Sequence, residues 1–272
     1  MAEPAEAVSV ARALSKLGWC SRGEAHELVS AGRVSVVRTV IRDPSFRIDM
    51  RRARVAVDGE AVRAQQRVYM MMHKPRGYVT TTSDELGRRI VFDLLPPDVP
   101  RVTAVGRLDL DSEGLLLFTS DTRWANRIID PVAHTDRVYE VQLARPPRPA
   151  ELNNAVAGVD AGRGEVLGFK AARPIERGPD WIEVVLDEGR NRQIRRVLES
   201  LGSEVVRLIR TAIGPVRLGD LEPGATRMLS AAEKRLLDAG GENDPPFLAP
   251  VSSLNLTRLP ALGSFSLADG TC

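Results

Sequence analysis

The stretch from Val105 to Asp121 joins a short polar turn to a continuous apolar segment. The turn contains Arg107 and Asp109, and the segment 115–118 reads Leu-Leu-Leu-Phe. Four successive apolar residues are typical of a strand that is buried within a sheet. A buried strand is a rigid support, and the loop beside it can hold a carboxylate for chemistry. The sequence therefore predicts a well-covered sheet, with Asp109 as its first candidate functional residue.

Length and cysteine content set the broad class of the chain. A chain of 272 residues is long enough for two domains, one of ordinary size and one small. It has no run of eighteen apolar residues, and its start lacks the cationic and apolar regions of a secretion signal. Cys20 and Cys272 lie at opposite ends and do not form a disulfide framework pattern. We expect a soluble cytoplasmic protein without a membrane segment.

Basic residues are concentrated in two blocks of the sequence. Residues 8–54 contain nine arginines and one lysine against four acids, and residues 189–197 contain four arginines and no acid. Such blocks are expected of a surface that contacts nucleic acid. Guanidinium groups suit phosphate and stack on bases, although a GC-rich genome would give the same excess of arginine. The distribution of charge therefore favours an RNA or DNA partner.

The first basic block contains two predicted helices followed by basic strands. The helices cover about 10–17 and 22–31, and the second begins with the capping-box pair Ser21 and Glu24. The sequence SRGEAHELVSAGRVSV lies at the centre of this block, which resembles the S4 RNA-binding domain over residues 8–62. That family usually has Asn-Gly where this chain has Val37-Arg38. Because valine resists positive φ, we expect a different turn there.

Residues 67–238 read as a second domain. Strands are predicted near 68–72, 115–119, 138–143 and 181–186, with a helix at 121–130 that ends at Pro131. Strands and helices that do not alternate strictly predict an α+β fold with a mixed or antiparallel sheet. The segment 239–272 is rich in Gly, Pro and Ser and is predicted to be a flexible tail.

The acids of the opening stretch have two possible uses. Asp109, Asp111 and Glu113 have the spacing of a calcium loop, but Ser120 stands where that loop needs a glutamate. A single carboxylate, Asp109, beside Arg107 is the better candidate. Three scattered histidines and two distant cysteines do not form a zinc pattern, and no phosphate-binding glycine loop is present. We therefore expect no metal and no cofactor.

A second candidate lies in the basic segment after residue 189. Ile194, Val197, Leu198 and Leu201 predict one buried face of a helix, with the arginines on its other side. Arg195 lies nearest the boundary of the two faces and could reach a carboxylate. A solvated basic face is the alternative, but four arginines without an acid favour a bound phosphate or carboxylate.

Five segments in one order carry a family resemblance. They are KPRGYVTTTSDELGRRIVFDLL, VGRLDLDSEGLLLFTSD, YEVQL, LDEGRNRQIRRV and VVRLIRTAIGPVRLGDLEPGATRML. They resemble the bacterial ribosomal-RNA pseudouridine synthases that carry an amino-terminal S4 domain, and the resemblance covers residues 8–238. It implies the isomerisation of a ribosomal uridine to pseudouridine without a cofactor. It also implies an S4-like domain at 8–62 and a catalytic domain at 67–238, with a mixed, largely antiparallel sheet and flanking helices.

The resemblance assigns roles to five residues. Asp109 matches the catalytic aspartate, and Arg107 supports its loop and the RNA. Tyr139 matches the tyrosine that stacks on the target base, Arg195 the basic residue that pairs with the aspartate, and Leu208 an apolar residue of the pocket. Arg137 stands where the family usually has lysine, which is a departure from the pattern. The residues predicted to contact RNA are Arg12, Ser21, Arg22, Arg33, Lys74, Arg76, Arg190, Asn191, Arg192, Gln193 and Arg196.

The implied partner is ribosomal RNA or a pre-ribosomal particle, bound by a monomer. The motif EGRNRQIRR favours the large-subunit type of enzyme over the small-subunit type. Nucleophilic and glycal-type courses of the reaction both remain open to Asp109. The alternative function is that of a non-catalytic, S4-type RNA-binding or ribosome-assembly protein, for which the basic block alone would suffice.

Overall fold

The computed structural model describes residues 7–63, 66–162 and 164–240. The helices are α1 (Val10–Lys16), α2 (Arg22–Ser30), α3 (Thr122–Ile129), α4 (Pro149–Ala157), α5 (Gln193–Ser200) and α6 (Ala231–Asp238). The strands are β1 (Ala7–Ser9), β2 (Val34–Val36), β3 (Thr39–Ile41), β4 (Arg47–Asp49), β5 (Val55–Val57), β6 (Glu60–Ala61), β7 (Tyr69–Lys74), β8 (Thr103–Val105), β9 (Glu113–Thr119), β10 (Arg137–Leu143), β11 (Val159–Asp160), β12 (Val166–Leu167), β13 (Ala171–Pro174), β14 (Trp181–Leu186), β15 (Val205–Ile213), β16 (Val216–Arg217) and β17 (Thr226–Met228).

Residues 7–62 fold around a hydrophobic cluster of their own, in which Leu14 and Val34 are fully buried. Strands β3, β2, β5 and β6 form an antiparallel sheet in that order, and β1 pairs with β4. The predicted capping box of α2 is confirmed, because the Ser21 hydroxyl accepts from the Glu24 amide and the Glu24 carboxylate accepts from the Ser21 amide. The two helices and the basic strands therefore form where the sequence predicts them.

The prediction for the turn at Val37-Arg38 is wrong. Val37 and Arg38 have φ values of 47° and 69°, and Val36 pairs directly with Thr39. This is the two-residue hairpin turn for which Asn-Gly is the favoured sequence. Antiparallel pairing on both sides fixes the loop length, and both side chains are exposed, so that neighbours do not oppose the left-handed conformation. It costs about 1–2 kcal/mol for each non-glycine residue.

The remaining strands build a nine-stranded sheet. Its main path is β13-β14-β10-β15-β9-β7-β17, with β8 also paired to β9 and β16 to β15. The β9–β15 pair is parallel, and the other pairs of this sheet are antiparallel. The predicted α+β class with a mixed, largely antiparallel sheet is therefore confirmed.

Strand β9 is buried on both faces of this sheet. Leu116 and Phe118 belong to the cluster on one face, where α5 packs through Val197. Leu115 and Leu117 belong to the cluster on the other face, where α3 and α6 pack. Because alternate residues of a strand point to opposite faces, a strand covered on both sides must be apolar at every position. The run Leu-Leu-Leu-Phe is the consequence.

Gly114 allows β9 and β15 to approach closely at the end of β9 that leads to the Asp109 loop. Its φ is 105°, and a Cβ placed on it would lie 2.3 Å from the Arg210 carbonyl oxygen. Any side chain would therefore force the two strands apart. Glycine at this position fixes the start of β9 against the backbone of β15.

The predicted strands and the helix after residue 121 all form, with boundaries shifted by a few residues at most. Apart from Ala239 and Gly240, the predicted tail 239–272 lies outside the described residues. Within the described part of the chain, no helix is both long and apolar enough to cross a membrane.

Candidate active site

The loop 106–112 connects β8 to β9 and carries Asp109. Gly106 begins it with a φ of 77°. The Thr80 hydroxyl donates to the Leu108 carbonyl at 2.8 Å and accepts from the Leu108 amide at 3.3 Å. The Thr80 hydroxyl therefore satisfies both backbone groups of Leu108, as a neighbouring strand would. It fixes the backbone immediately before Asp109.

The segment that follows β7 binds the other end of this loop. The Gly77 amide donates to the Leu110 carbonyl at 2.8 Å. Lys74 Nζ donates to the Ser112 carbonyl at 2.6 Å and to the Pro75 carbonyl at 3.1 Å. These contacts hold the loop by its backbone and do not use its carboxylates.

Lys74 is fully buried, and this corrects the prediction that it contacts RNA. Burial lowers the pKa of its ammonium group to about 8, although the nearby carboxylates of Asp109, Asp111 and Glu113 act to raise that pKa. Since the ammonium is enclosed by protein, it cannot reach a phosphate at the surface. Lys74 is a positioning residue for the loop.

Two arginines contact the acidic side chains of the loop. Arg192 Nη1 lies 3.5 Å from Asp109 Oδ2 and 3.4 Å from Asp111 Oδ1. Arg195 Nη2 lies 3.0 Å from Asp111 Oδ2, and it donates to the Asp111 carbonyl at 3.2 Å. The structure thus pairs Arg195 with Asp111 rather than with Asp109, contrary to the prediction.

The position of each arginine relative to α5 explains the difference. Arg195 lies within the first turn of the helix, its side chain is largely buried, and Nη1 donates to the Val205 carbonyl at 3.1 Å. Arg192 precedes α5 with a left-handed backbone, at a φ of 50°, and its side chain is more exposed. Asp109 and Asp111 are about equally exposed, at 36% and 37% of their side chains, so exposure does not separate them; Arg192 contacts both carboxylates, and Arg195 contacts Asp111.

The three acids with calcium-like spacing do not converge. Glu113 is buried and forms an ion pair with Arg207 at 2.7 Å. Asp111 is paired with arginines, as described above, and a cluster of three potential metal ligands does not occur among the described residues. All three acids pair with arginines: Asp109 and Asp111 with Arg192 or Arg195, and Glu113 with Arg207.

An open cavity of about 410 Å³ lies beside the loop. It is within the size range of sites for small molecules or for a single nucleotide unit. Tyr139 from β10 and Leu208 from β15 are nearly buried and supply apolar walls. The side chain of Asp109 is 36% exposed. The structure therefore brings together all five residues that the resemblance singled out, which are Arg107, Asp109, Tyr139, Arg195 and Leu208.

The predicted RNA contacts near α5 divide into two groups. Arg190, Asn191 and Arg192 are exposed and line the cavity. Gln193 also lines it, but it is buried, and its Nε2 donates to the Gly168 carbonyl and to Glu188 Oε1, each at 2.8 Å. The structure therefore argues against RNA contact by Gln193, because its amide is already used to hold the start of α5.

Arg196 also has a structural role. Its Nη2 forms an ion pair with Glu165 at 2.6 Å and donates to the Ala161 carbonyl at 3.0 Å. The side chain is largely buried and does not line the cavity. It fastens α5 to the segment between β11 and β12, which argues against the predicted RNA contact.

The remaining predicted contacts are not among the residues that line the cavity, although Arg76 is close enough to Arg195 to act on its charge. Arg12, Arg22 and Arg76 are exposed. Arg33 is exposed as well, but it forms a close ion pair with Asp58 at 2.5 Å. The Ser21 hydroxyl, as described above, caps α2. The exposed arginines keep the predicted role as a proposal, whereas Arg33 and Ser21 have partners within the fold.

Two arginines of the cavity were not predicted as site residues. Arg137 on β10 and Arg210 on β15 both line it. Arg210 follows Leu208 by two residues on the same strand, so strand alternation places both side chains on one face. That periodicity was the signal that could have identified Arg210 from the sequence.

Residues 68–200 match the family described as RNA pseudouridylate synthase. An RNA pseudouridine synthase of Rickettsia prowazekii is 35% identical over 232 residues, which cover 84% of this chain and 97% of that relative. The chain belongs to the RNA pseudouridine synthase family. It is therefore an enzyme that converts uridine in RNA to pseudouridine.

Further relatives of this synthase agree. The ribosomal large subunit pseudouridine synthase B of Bacillus subtilis is 30% identical over 231 residues, covering 84% of this chain and 94% of that protein. The crystal structure of a pseudouridylate synthase has a TM-score of 0.60 and 25% identity, covering 85% of this chain and 99% of the other. These similarities favour an enzyme over the alternative of a non-catalytic RNA-binding protein.

Proposed function

We propose that this synthase isomerises a uridine of large-subunit ribosomal RNA and that Asp109 is its catalytic carboxylate. The observation that carries the proposal is the position of Asp109. It lies on a loop fixed through its backbone, beside a cavity with the apolar walls of Tyr139 and Leu208. A flat base fits between such walls, and the carboxylate is then next to the sugar.

The reaction breaks the C1′–N1 bond, turns the base, and joins C1′ to C5. A proton leaves C5 and another binds N1, so the product is an isomer of the substrate. A carboxylate can attack C1′ or stabilise positive charge on the sugar. Asp109 is placed for these tasks, and a glycal-type course would require the same carboxylate. No cofactor enters this balance.

The walls of the cavity would keep the detached base in place. Tyr139 offers a ring face for stacking, and Leu208 an apolar side chain. A base held in this way can turn without escaping, which replaces an encounter between two molecules by a motion within one site. A paired uridine cannot enter the cavity, so the target must be unstacked or turned out of its helix.

The cations around Asp109 divide the remaining tasks. Arg192 is the arginine in contact with the Asp109 carboxylate, and Arg195 orients the loop through Asp111. Arg107, Arg190 and Arg192 are exposed at the cavity and are suited to the phosphates that flank the target. The Arg195 role in the family resemblance is thus replaced here by an indirect one.

The large ribosomal subunit is proposed as the substrate on two grounds. One is the name of the Bacillus subtilis relative, a large-subunit synthase, which matches over 94% of its length. The other is the motif EGRNRQIRR at residues 188–196, which favours the large-subunit type.

Carbodiimide mapping of ribosomal RNA from cells that lack the gene tests this assignment directly. We expect one large-subunit site to lose its pseudouridine and to regain it on complementation. Loss in the small subunit alone would refute the assignment.

We also infer that residues 8–62 form an S4-type unit that binds RNA next to the target. Its support is the helix pair followed by basic strands, with exposed Arg12 and Arg22. Arg22→Glu should raise the Kd for RNA about tenfold at low salt, because a phosphate contact becomes a repulsion. Arg148→Glu is the matched control, since it also reverses an exposed arginine at a helix start. Equal Kd values for both variants in a filter-binding assay would contradict the inference.

A further inference from the structure

Arg210 lies at the inner end of the cavity. It stands on β15 opposite Tyr139 of β10, two residues after Leu208, and only 3% of its surface is exposed. Its side chain lines the cavity together with those two residues. The arginine is therefore placed beside the apolar walls between which the base is proposed to bind.

The guanidinium of Arg210 is incompletely paired. Nε donates to the Leu115 carbonyl at 2.8 Å, and Nη1 is 3.5 Å from the Arg107 carbonyl. Nη2 is buried without a hydrogen-bond partner among the described residues. Within the same part of the chain, no carboxylate forms an ion pair with Arg210. A buried donor without a partner is costly, so this nitrogen is suited to a ligand that supplies an acceptor.

A second, partly buried cation, Arg137, lies on the neighbouring strand β10. Arg137 donates to the Thr135 carbonyl at 3.1 Å and to the Ile128 carbonyl at 3.2 Å. Burial and the positive charge of Arg210 lower the pKa of Arg137, and they outweigh Tyr139, Asp136 and Asp187, which act to raise it. Both guanidinium groups donate to neutral backbone carbonyls, so their positive charges remain largely unpaired. A ligand that carries negative charge would offset the resulting positive potential.

The burial of each arginine indicates which part of an RNA could bind to it. The exposed arginines, among them Arg107 and Arg192, lie where flanking phosphates can approach. Arg210 lines the same cavity with only 3% of its surface exposed, so a single flat base can reach it more readily than a chain of phosphates. The acceptors that a uracil carries are its two carbonyl oxygens.

We propose that Arg210, with Arg137 beside it, binds a carbonyl oxygen of the target uracil and stabilises the negative charge that the base acquires when it detaches. The inference rests on the proposed placement of the reaction at Asp109. When C1′–N1 breaks, its electron pair remains with the base and spreads over N1 and the carbonyl oxygens. The pair returns when C5 bonds to C1′, after which C5 loses a proton and N1 gains one. A contact that strengthens as this charge develops lowers the barrier.

The test compares two leaving groups in single-turnover experiments with the full-length enzyme. One RNA carries uridine at the mapped target, and the other carries 5-fluorouridine, whose detached base is the more stable anion. Loss of the N-glycoside is measured on both, because fluorine at C5 prevents the final proton loss. Arg210→Gln should slow the uridine reaction about 100-fold or more. The loss on 5-fluorouridine should be smaller by about tenfold, and the Kd for RNA should stay within threefold.

Two controls define the outcome. Arg227→Gln removes a half-buried arginine of the edge strand β17, which pairs with Glu233 of α6, and should leave both rates within twofold of wild type. Arg210→Lys keeps the charge and loses the planar fork, so its rates should lie between those of wild type and Arg210→Gln. If Arg210→Gln does not fold by circular dichroism, Arg210→Lys and Arg137→Gln carry the same comparison of leaving groups.

An equal loss on both RNAs, or a loss confined to the Kd, would overturn the proposal. The second result would assign Arg210 to a phosphate instead. Failure of the proposed function is a separate outcome, because the wild-type enzyme would then leave the uridine RNA unchanged, or Asp109→Asn would remain active. An active wild type, an inactive Asp109→Asn and a fully active Arg210→Gln would reject the role of Arg210 alone.

Discussion

Lys74 shows how a single residue can link stability to the geometry of the site. Its ammonium is enclosed by protein and donates to the carbonyl of Ser112, at the end of the Asp109 loop, and to the carbonyl of the adjacent Pro75. The sequence analysis placed Lys74 among the RNA contacts, because lysines are usually exposed. Burial of a lysine depends on what packs around it in three dimensions, and local sequence does not contain that information.

The lowered pKa of Lys74 makes a prediction about stability and pH. The folded pKa is about 8, and an unfolded lysine titrates near 10.4. Between these values the unfolded state binds more protons, so the free energy of unfolding should rise with pH across this window. The contribution of Lys74 should increase by about 3 kcal/mol from pH 7 to pH 10.5. Urea unfolding of wild type and Lys74→Met at several pH values measures it as the difference between the two proteins.

Lys170→Met is the control for loss of one positive charge, since Lys170 is exposed and paired with Asp136. A difference between wild type and Lys74→Met that stays constant from pH 7 to pH 10.5 would contradict the proposed environment of Lys74. The comparison is made between variants, so other titrating groups contribute equally to both proteins and cancel.

The arginine pairs illustrate a second limit at this scale. Helical periodicity correctly placed Arg195 at the inner boundary of α5, and the structure shows its side chain 12% exposed. Periodicity could not tell which carboxylate it would meet, because Asp109 and Asp111 are only two residues apart on an irregular loop. Arg192 contacts both aspartates from a left-handed backbone just before α5, and a non-glycine residue keeps such a backbone only where its surroundings hold it.

At the scale of elements, the strands were the easiest part to predict. β9 was evident from four apolar residues, and α2 from its capping box. The turn between β2 and β3 was not, because the favoured sequence for its geometry is absent. Here the pairing of the two strands overrides the preference of Val37 and Arg38, which shows that tertiary structure can impose a turn that local sequence disfavours.

This conflict makes a prediction about stability. Val37→Asn should raise the free energy of unfolding by about 1 kcal/mol, because asparagine tolerates a φ of 47° far better than valine. Val132→Asn removes another exposed valine and should change stability by less than about 0.5 kcal/mol. Urea unfolding gives both values. A destabilisation by Val37→Asn, beyond that of the control, would show that the turn is not strained.

At the scale of the whole molecule, the residues that stabilise the fold are largely distinct from those that line the cavity. Each part of the chain has a hydrophobic cluster of its own, one within residues 7–62 and the others around the large sheet. The arginines divide into those that form ion pairs within the protein and those that are exposed at the cavity. Arg33, Arg196 and Arg207 are used in ion pairs that hold the fold, whereas Arg190 and Arg192 are exposed at the cavity.

A charge count therefore overestimates the surface available for RNA. The sequence showed which segments are basic, and the family motifs indicated the cavity residues. The sequence alone could not show which arginines pair within the protein, since their partners are remote along the chain. Arg207 and Glu113, for example, are 94 residues apart. The location of the cavity itself follows from the β9–β15 contact that Gly114 permits.

The most direct test of the central claim compares Asp109→Asn with Asp111→Asn on RNA that contains the mapped uridine. Asparagine preserves size and removes the charge, so both variants should bind RNA with a Kd within threefold of wild type. We predict that Asp109→Asn lowers the single-turnover rate of pseudouridine formation by at least about 1,000-fold, whereas Asp111→Asn, which loosens the contacts of the loop to Arg192 and Arg195, retains measurable activity. Pseudouridine formation by Asp109→Asn within tenfold of the wild-type rate would contradict the account.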